Sequence, residues 1–499
     1  MKNLTITYKI SVVIALIFVL WGTFFPDHLG SIMTTAQTFF LNSFGWFYNL
    51  AASFFLLFAL FLIFSKYGRI KLGKDTDKPE FSRPTWFAML FSAGMGIGLL
   101  FYGVSEPVSH YAAPPVGEGG TRESALLALR YTYLHWGFHA WAIYAVVAMA
   151  LAYFKFRKDA PGLMSATLQP VLGDRVKGPI GYTIDIIAVF ATLFGVCASL
   201  GLGSQQINAG LSYLVGIPVN FGIQVTIIAI ITVLFILSAS TGIKRGIKYL
   251  SNANMVLATI LLLAMVILGP TLFILNLFTH TFGEYIQNLP QMGMRIFPLD
   301  ADRAAWTQGW TIFYWAWWIS WSPFVGMFIA RVSKGRTVRE FTVAVLIVPT
   351  IVCAFWFAVF GGTGIHLDLL QGVDVAGQSL ETGLFFVFEH LPLGGLLSIV
   401  TVLLISTFFI TSADSATFVL GMQTTEGDID PSNLIKITWG LILSASAIVL
   451  MASGGLNALQ TAIIVSAFPL TIILLVMSVG IVKIFKTEVK GYKKPKKTV

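Results

Sequence analysis

Six of the 13 tryptophans lie within 16 residues, Trp306 to Trp321, where Tyr314 and Phe324 join them. On a helix advancing about 100° per residue, Trp310, Tyr314, Trp317, Trp318 and Trp321 share roughly a third of the circumference. Membrane tryptophans commonly form interfacial belts. That suits Trp306 but not Trp318 and Trp321, which fall in the middle of an apolar run. Lipid contact has no use for so many indoles on one face. A column of electron-rich ring faces instead suits a cation without acidic hydrogens, such as a quaternary ammonium. Trp136, Trp141 and Tyr144 repeat the theme, with Trp141 and Tyr144 on a common face. Two such helices can build a box that holds the cation without a carboxylate, which matters for a ligand carrying its own negative group.

Ser92-Ala93-Gly94-Met95-Gly96-Ile97-Gly98 carries three alternating glycines, each costing a helix about 1 kcal/mol relative to alanine. Small residues also allow close helix packing, but a spacing of two rather than four favours an unwound stretch whose backbone lines a polar cavity. In Phe408-Phe409-Ile410-Thr411-Ser412-Ala413-Asp414-Ser415, hydroxyls beside backbone carbonyls make a hard-oxygen environment suited to sodium, although such hydroxyls also join membrane helices. Asp185 and Asp414 are expected to satisfy helix ends or to border a cation path, the structural role being favoured. His135 and His139, four apart, are acceptable to a metal. No third ligand stands in a companion motif, so hydrogen bonding between helices is the preferred role. Cys197 and Cys353 lie in apolar runs and exclude a disulfide framework or a Cys-ligated metal.

The elements that position these residues follow from composition. The chain has 499 residues, 56% hydrophobic and 11% charged, with a mean hydropathy of +0.80. A soluble domain carries about 25% charged residues, so a water-soluble multidomain enzyme is excluded and a polytopic membrane protein is expected. A span needs about 20 apolar residues, and twelve such runs occur, near 8–26, 44–64, 85–104, 127–154, 178–203, 218–239, 252–277, 307–330, 341–361, 392–420, 435–453 and 459–484. Ile10 to Phe25 lacks a small-residue cleavage site and precedes a second span, so it is read as a helix rather than a signal peptide. Of the 32 Lys and Arg, only Arg122, Arg130, Arg295 and Arg303 fall on one side of this arrangement. The positive-inside rule puts the rest, and both termini, in the cytoplasm. The net charge of +9 is then a topology signal and not a nucleic-acid footprint. Residues 279–305 read as a long external amphipathic segment. The tail from Lys483 to Val499 is either a solvated anchor or a contact for anionic lipid, at about 1 kcal/mol per basic residue.

Ser92 to Gly103, Glu106-Pro107, His135 to Tyr144, Thr311 to Arg331 and Phe408 to Ser415 resemble the betaine/carnitine/choline transporter family, with similarity from Tyr8 to about Val482. Within the family the chain resembles the glycine betaine transporters of Gram-positive bacteria. The resemblance implies an all-α fold of twelve transmembrane helices with leucine-transporter-like inverted repeats (spans 3–7 and 8–12), alternating access and a homotrimer in the bacterial plasma membrane. It divides the chain into two N-terminal helices and a loop (1–84), a first repeat (85–278), an external segment (279–306), a second repeat (307–484) and a basic tail (485–499). It further implies that Trp136, Trp141, Tyr144 and Trp318 enclose a trimethylammonium group. Trp317, Trp321 and Phe324 would line the cytoplasmic path, and backbone amides from Ala93 and Gly94 to Met95 and Gly96 would meet a carboxylate. Sodium would bind backbone oxygens of Ser92, Met95 and Phe408 with the hydroxyls of Thr411 and Ser412.

A second family sodium site uses two threonines, whereas this chain pairs Thr192 with Val196, which puts that site in doubt. Choline-type members resemble GMGID at the glycine stretch. Gly98 stands at the acidic position here, arguing for a zwitterion. Neither 178–243 nor 391–435 contains Lys or Arg, against the positive side chain that sodium-independent exchangers of the family tend to place at the ion position. The expectation is sodium symport of glycine betaine for osmoprotection, with sodium as coupling ion, no other cofactor, no enzymatic activity and no nucleic-acid partner. The alternatives are a choline, carnitine or ectoine carrier, a sodium-independent antiporter, a channel or membrane sensor and, most remotely, a metalloenzyme using His135 and His139.

Overall fold

The computed structural model describes residues 4–94, 96–241 and 244–492. Among these the fold is all-helical, the one β pairing being a single bridge between Lys71 and Thr337. The helices that matter for the site are α1 (Ile6–Phe24), α2 (Pro26–Phe64), α3 (Arg83–Gly94), α4 (Ile97–Ala112), α5 (Arg122–Trp136), α6 (Phe138–Ala152) and α7 (Pro179–Val215). They continue as α8 (Phe221–Thr241), α9 (Lys244–Leu268), α10 (Thr271–Gly293), α11 (Phe313–Val332), α12 (Val338–Gln371), α13 (Gly394–Thr424) and α14 (Asn433–Tyr492).

Nine helical stretches among the described residues are long and apolar enough to cross a membrane. Large apolar side chains such as Ile17, Leu57, Ile230, Leu263 and Leu403 point outward, as a hydrocarbon solvent allows and water does not. The chain is therefore a multi-pass membrane protein. Its difference from the expected twelve spans falls at three places. The run 85–104 is split between α3 and α4, each short by itself. The run 307–330 is made of Ala301–Thr307, a π-helical turn at Gln308–Ile312 and α11. The two last runs lie in α14, broken at Gly454 and Gly455. Gly455 has φ 58° and ψ −134°, a conformation open to glycine and strained for any other residue.

The seventh run also differs from expectation. A proline at 270 cannot continue the backbone ladder, so α9 ends at Leu268 and residues 271–277 open α10 instead. Along α10, Ile274, Leu277, Thr281 and Tyr285 are buried while Leu272, Leu275 and Ile286 are exposed, the helical periodicity of an amphipathic element. It packs on α5 and α12.

Two contacts organise the interior. α6 lies along α11, and α7 runs between α13 and α14. At one end the polar connections are tied to one another. Lys74 pairs with Asp159 at 2.5 Å, Arg157 and Lys158 with Glu488 at 2.9 and 2.6 Å, and Lys334 with Asp77 at 3.7 Å. The loops following α2, α6 and α11 thus share a face with the end of α14. Lys493, Lys494, Lys496 and Lys497 of the basic tail lie outside the described residues.

Candidate functional site

The aromatic residues of α5, α6 and α11 meet at the centre of the bundle. Trp318 is stacked on Trp317 with centroids 5.2 Å apart and planes within 7°. It meets Trp136 edge-on at 4.9 Å and Tyr144 at 6.0 Å, and Tyr144 in turn meets Trp141 at 5.5 Å. Indole donors hold these rings: Trp318 Nε1 donates to His135 O at 2.7 Å, Trp141 Nε1 to Trp136 O at 3.2 Å and Trp321 Nε1 to Gly195 O at 2.7 Å. A helix break makes the first two possible. Gly137 ends α5 and begins α6 with φ −101° and ψ −135°, which frees the carbonyls of the last α5 turn for indole donors.

The rings enclose a cavity of about 30 Å³, lined also by Gly96, Gly98, Ser199 and Cys353. It has room for about one water. Below it a second cavity of about 870 Å³ runs to Lys155, Arg331 and Lys436, on the face where the basic loops are tied together. Trp321 borders both cavities, while Phe324 borders the large one only. Trp136, Trp141, Tyr144, Trp317 and Trp318 are thus brought together, with Trp321 as the partition. Trp310 does not line the cavity; it stacks on Tyr314 at 6.4 Å and meets His110 at 4.6 Å.

α3 ends at Gly94 and α4 begins at Ile97, with Gly96 in extended conformation. The helix is interrupted where the alternating glycines stand. Met95 lies outside the described residues. Gly98 sits against the box: a Cβ there would lie 3.0 Å from Cη2 of both Trp136 and Trp317.

Ser92, Phe408, Thr411 and Ser412 all border the large cavity, joined by Asn254 and Asp414. Thr411 Oγ1 donates to Thr407 O at 3.0 Å and receives Asn254 Nδ2 at 3.4 Å. Asn254 Oδ1 and Asp414 Oδ1 are buried without a hydrogen-bond partner. Uncommitted hard oxygens beside hydroxyls fit an alkali cation better than a soft metal. Thr192 stands apart, donating to Ala188 O and receiving Gln423 Nε2 at 3.2 Å, with apolar Val196 buried one turn on. Asp185 caps a short helix, accepting Ser165 N at 2.9 Å and Ser165 Oγ at 2.7 Å.

His135 takes the role preferred for it, hydrogen bonding between helices, while Gly137 interrupts the helix between it and His139. His139 stacks on Trp315 at 5.0 Å. His135 turns to Glu106, its Nδ1 2.7 Å from Oε1 and its Nε2 3.0 Å from Thr311 Oγ1. His110 Nε2 meets the same carboxylate oxygen at 3.2 Å. The other oxygen accepts Trp136 Nε1 at 2.7 Å and Tyr314 Oη at 2.5 Å. Glu106 is wholly buried and was not among the sequence candidates, because the run 85–104 stops two residues short of it. Asn254, a single amide in an apolar run, was missed likewise. The Glu-Pro pair inside a helix and the lone amide were the available signals.

Comparison with known proteins gives a match to the betaine/carnitine/choline family of transporters over residues 6–490. A Bacillus subtilis protein named glycine betaine transporter OpuD is 55% identical over 498 residues, covering 100% of this chain and 97% of its own length. A probable glycine betaine transporter of Desulfitobacterium hafniense is 45% identical over 493 residues, covering 98% of each chain. An ectoine/hydroxyectoine transporter of Virgibacillus pantothenticus is 42% identical over 492 residues, covering 98% of this chain and 97% of its own.

Proposed function

We propose, from the premise that this chain belongs to the betaine/carnitine/choline transporter family, that it imports glycine betaine with sodium by alternating access and so serves osmoprotection. The observation that carries this reading is the enclosure of one small cavity by Trp136, Trp141, Tyr144 and Trp318, with Gly98 where an acidic side chain would balance a ligand lacking a carboxylate.

The trimethylammonium group enters the box and is held by ring faces, each worth about 0.5–2 kcal/mol, the upper value applying where water is excluded. The ligand carboxylate turns to the backbone amides where α3 gives way to α4, the positive end of the α4 dipole. Sodium bridges α3 and α13 through Ser92, Phe408, Thr411 and Ser412, with Asn254 Oδ1 within the same cavity wall. A box with room for about one water above a wide cavity is the state after release, open to the face bearing the basic loops. By the positive-inside rule that face is cytoplasmic. Binding requires the stacked rings to part and Trp321 to close the lower path.

The second reading is ectoine transport, favoured by the relative of that name, since a delocalised amidinium also fits aromatic faces. Uptake of labelled glycine betaine into proteoliposomes, with and without an inward sodium gradient and in competition with choline, carnitine and ectoine, tests both. Saturable, concentrative, sodium-driven betaine uptake is expected. Uptake of labelled ectoine where labelled betaine is not taken up moves the assignment to the second reading, and non-saturable flux dismisses a carrier.

A further inference from the structure

We propose that Glu106 is the fixed counter-charge of the aromatic box, a positioning residue that acts through the Trp136 indole to favour a positively charged headgroup over a neutral one of the same shape. The inference rests on the betaine reading above and deepens it.

The side chain of Glu106 lies inside a membrane-spanning bundle, where an ionisable group is costly and must be partnered. Four groups converge on it. Trp136 Nε1 and Tyr314 Oη reach Oε2 at 2.7 and 2.5 Å, and His135 Nδ1 and His110 Nε2 reach Oε1 at 2.7 and 3.2 Å. An indole N–H donates only, so Oε2 is an acceptor there; with His135 protonated on Nδ1 and His110 on Nε2, Oε1 accepts as well and the pattern is that of a carboxylate. The two imidazoles complete the pattern as neutral rings. In that tautomer His135 Nδ1 donates to Glu106 and its Nε2 accepts from Thr311 Oγ1, 3.0 Å away. His110 Nδ1 is buried without a partner, so a second proton on that ring would have no acceptor. In this assignment the negative charge rests on Glu106, its four partners offsetting the cost of burying it.

Trp136 is the link to the ligand. One edge of its indole donates to Glu106, while the ring lines the small cavity and meets Trp318 at 4.9 Å. A hydrogen bond from an indole N–H to a carboxylate pushes electron density into the ring, which strengthens its attraction for a cation at its face. The charge itself acts in the same direction across one ring width, through an interior of low dielectric. None of the described residues lining the cavity is acidic. With glycine at position 98, Glu106 supplies the negative potential from behind the wall, leaving the cavity free for a ligand that brings its own carboxylate.

The test compares two ligands on the purified full chain by calorimetry: glycine betaine and 3,3-dimethylbutanoate, in which a carbon replaces the quaternary nitrogen with shape and carboxylate kept. The wild type should bind betaine more tightly. In Glu106→Gln the ratio of the two affinities should fall about tenfold, as loss of one partly screened charge implies, with 3,3-dimethylbutanoate, itself an anion, bound no more weakly than before. Glu106→Asp, which keeps the charge but draws it back from Trp136, should give a smaller fall and serves alone if the Gln variant does not fold by thermal melt. A parallel loss for both ligands, or an unchanged ratio, overturns the proposal. A wild type that binds no betaine overturns the betaine reading itself, an outcome distinct from the other two.

Discussion

Replacing Trp318 separates binding from packing. The side chain is 7% exposed, stacked on Trp317, edge-on to Trp136 and Tyr144, and tied by Nε1 to His135 O. In Trp318→Ala the box loses a desolvated face worth about 2 kcal/mol to a cation, or roughly 30-fold in betaine affinity at 1.4 kcal/mol per factor of ten. The same change empties a buried aromatic site, at about 3–5 kcal/mol of stability, and strips the His135 carbonyl of its donor, at about 1–3 kcal/mol. Trp318→Phe keeps a ring face but not the N–H. It should pay the carbonyl cost in stability and lose only a few-fold in affinity, a phenyl face being weaker than an indole. Calorimetry of betaine binding beside thermal melts of both variants reads the two effects separately. A Trp318→Ala protein that is folded and binds betaine within about threefold of wild type would refute the assignment of this ring to the ligand.

Three further expectations concern the surroundings of the box. Gly98→Asp should weaken betaine binding at least about tenfold, because Cβ would crowd Trp136 and Trp317 at 3.0 Å and a carboxylate would repel the ligand's own. The same variant should gain choline in a competition assay. Thr411→Ala with Ser412→Ala should raise the sodium concentration for half-maximal uptake about tenfold or more while leaving the melt in the absence of sodium within a few degrees of wild type. Glu488→Gln releases Arg157, Lys158 and Tyr153 Oη, which hold Glu488 at 2.9, 2.6 and 2.8 Å. At this partly exposed site it should cost about 1 kcal/mol or less and speed limited proteolysis of the tail, with betaine affinity unchanged.

The aromatic site was legible because its signal is local. Indoles three, four and seven apart on one helix declare a face, and alternating glycines declare a weak helix. Both features are short-range, and the structure sets Trp317, Trp318 and Trp321 on one side of α11 and interrupts the chain between α3 and α4. What stayed hidden depends on distant partners. Hydropathy closes a span before Glu106 because it counts the cost of a charge and not the donors that offset it. Those donors come from as far as Tyr314, 208 residues away. Asn254 gains its place through Thr411, 157 residues on. His135 joins helices as expected, but that its partner is Glu106, 29 residues back, was beyond any local pattern. The bounds of α9 and α10 shifted because a run of apolar residues says nothing of where Pro270 divides it.

The most direct test of the account is a structure of the protein with glycine betaine and sodium bound. The account predicts the trimethylammonium group enclosed by Trp136, Trp141, Tyr144 and Trp318, ring centroids within about 6 Å of the nitrogen, in a box widened from its present 30 Å³. Betaine found only in the large cavity near Lys155 and Arg331, with the four rings still closed on one another, would contradict it.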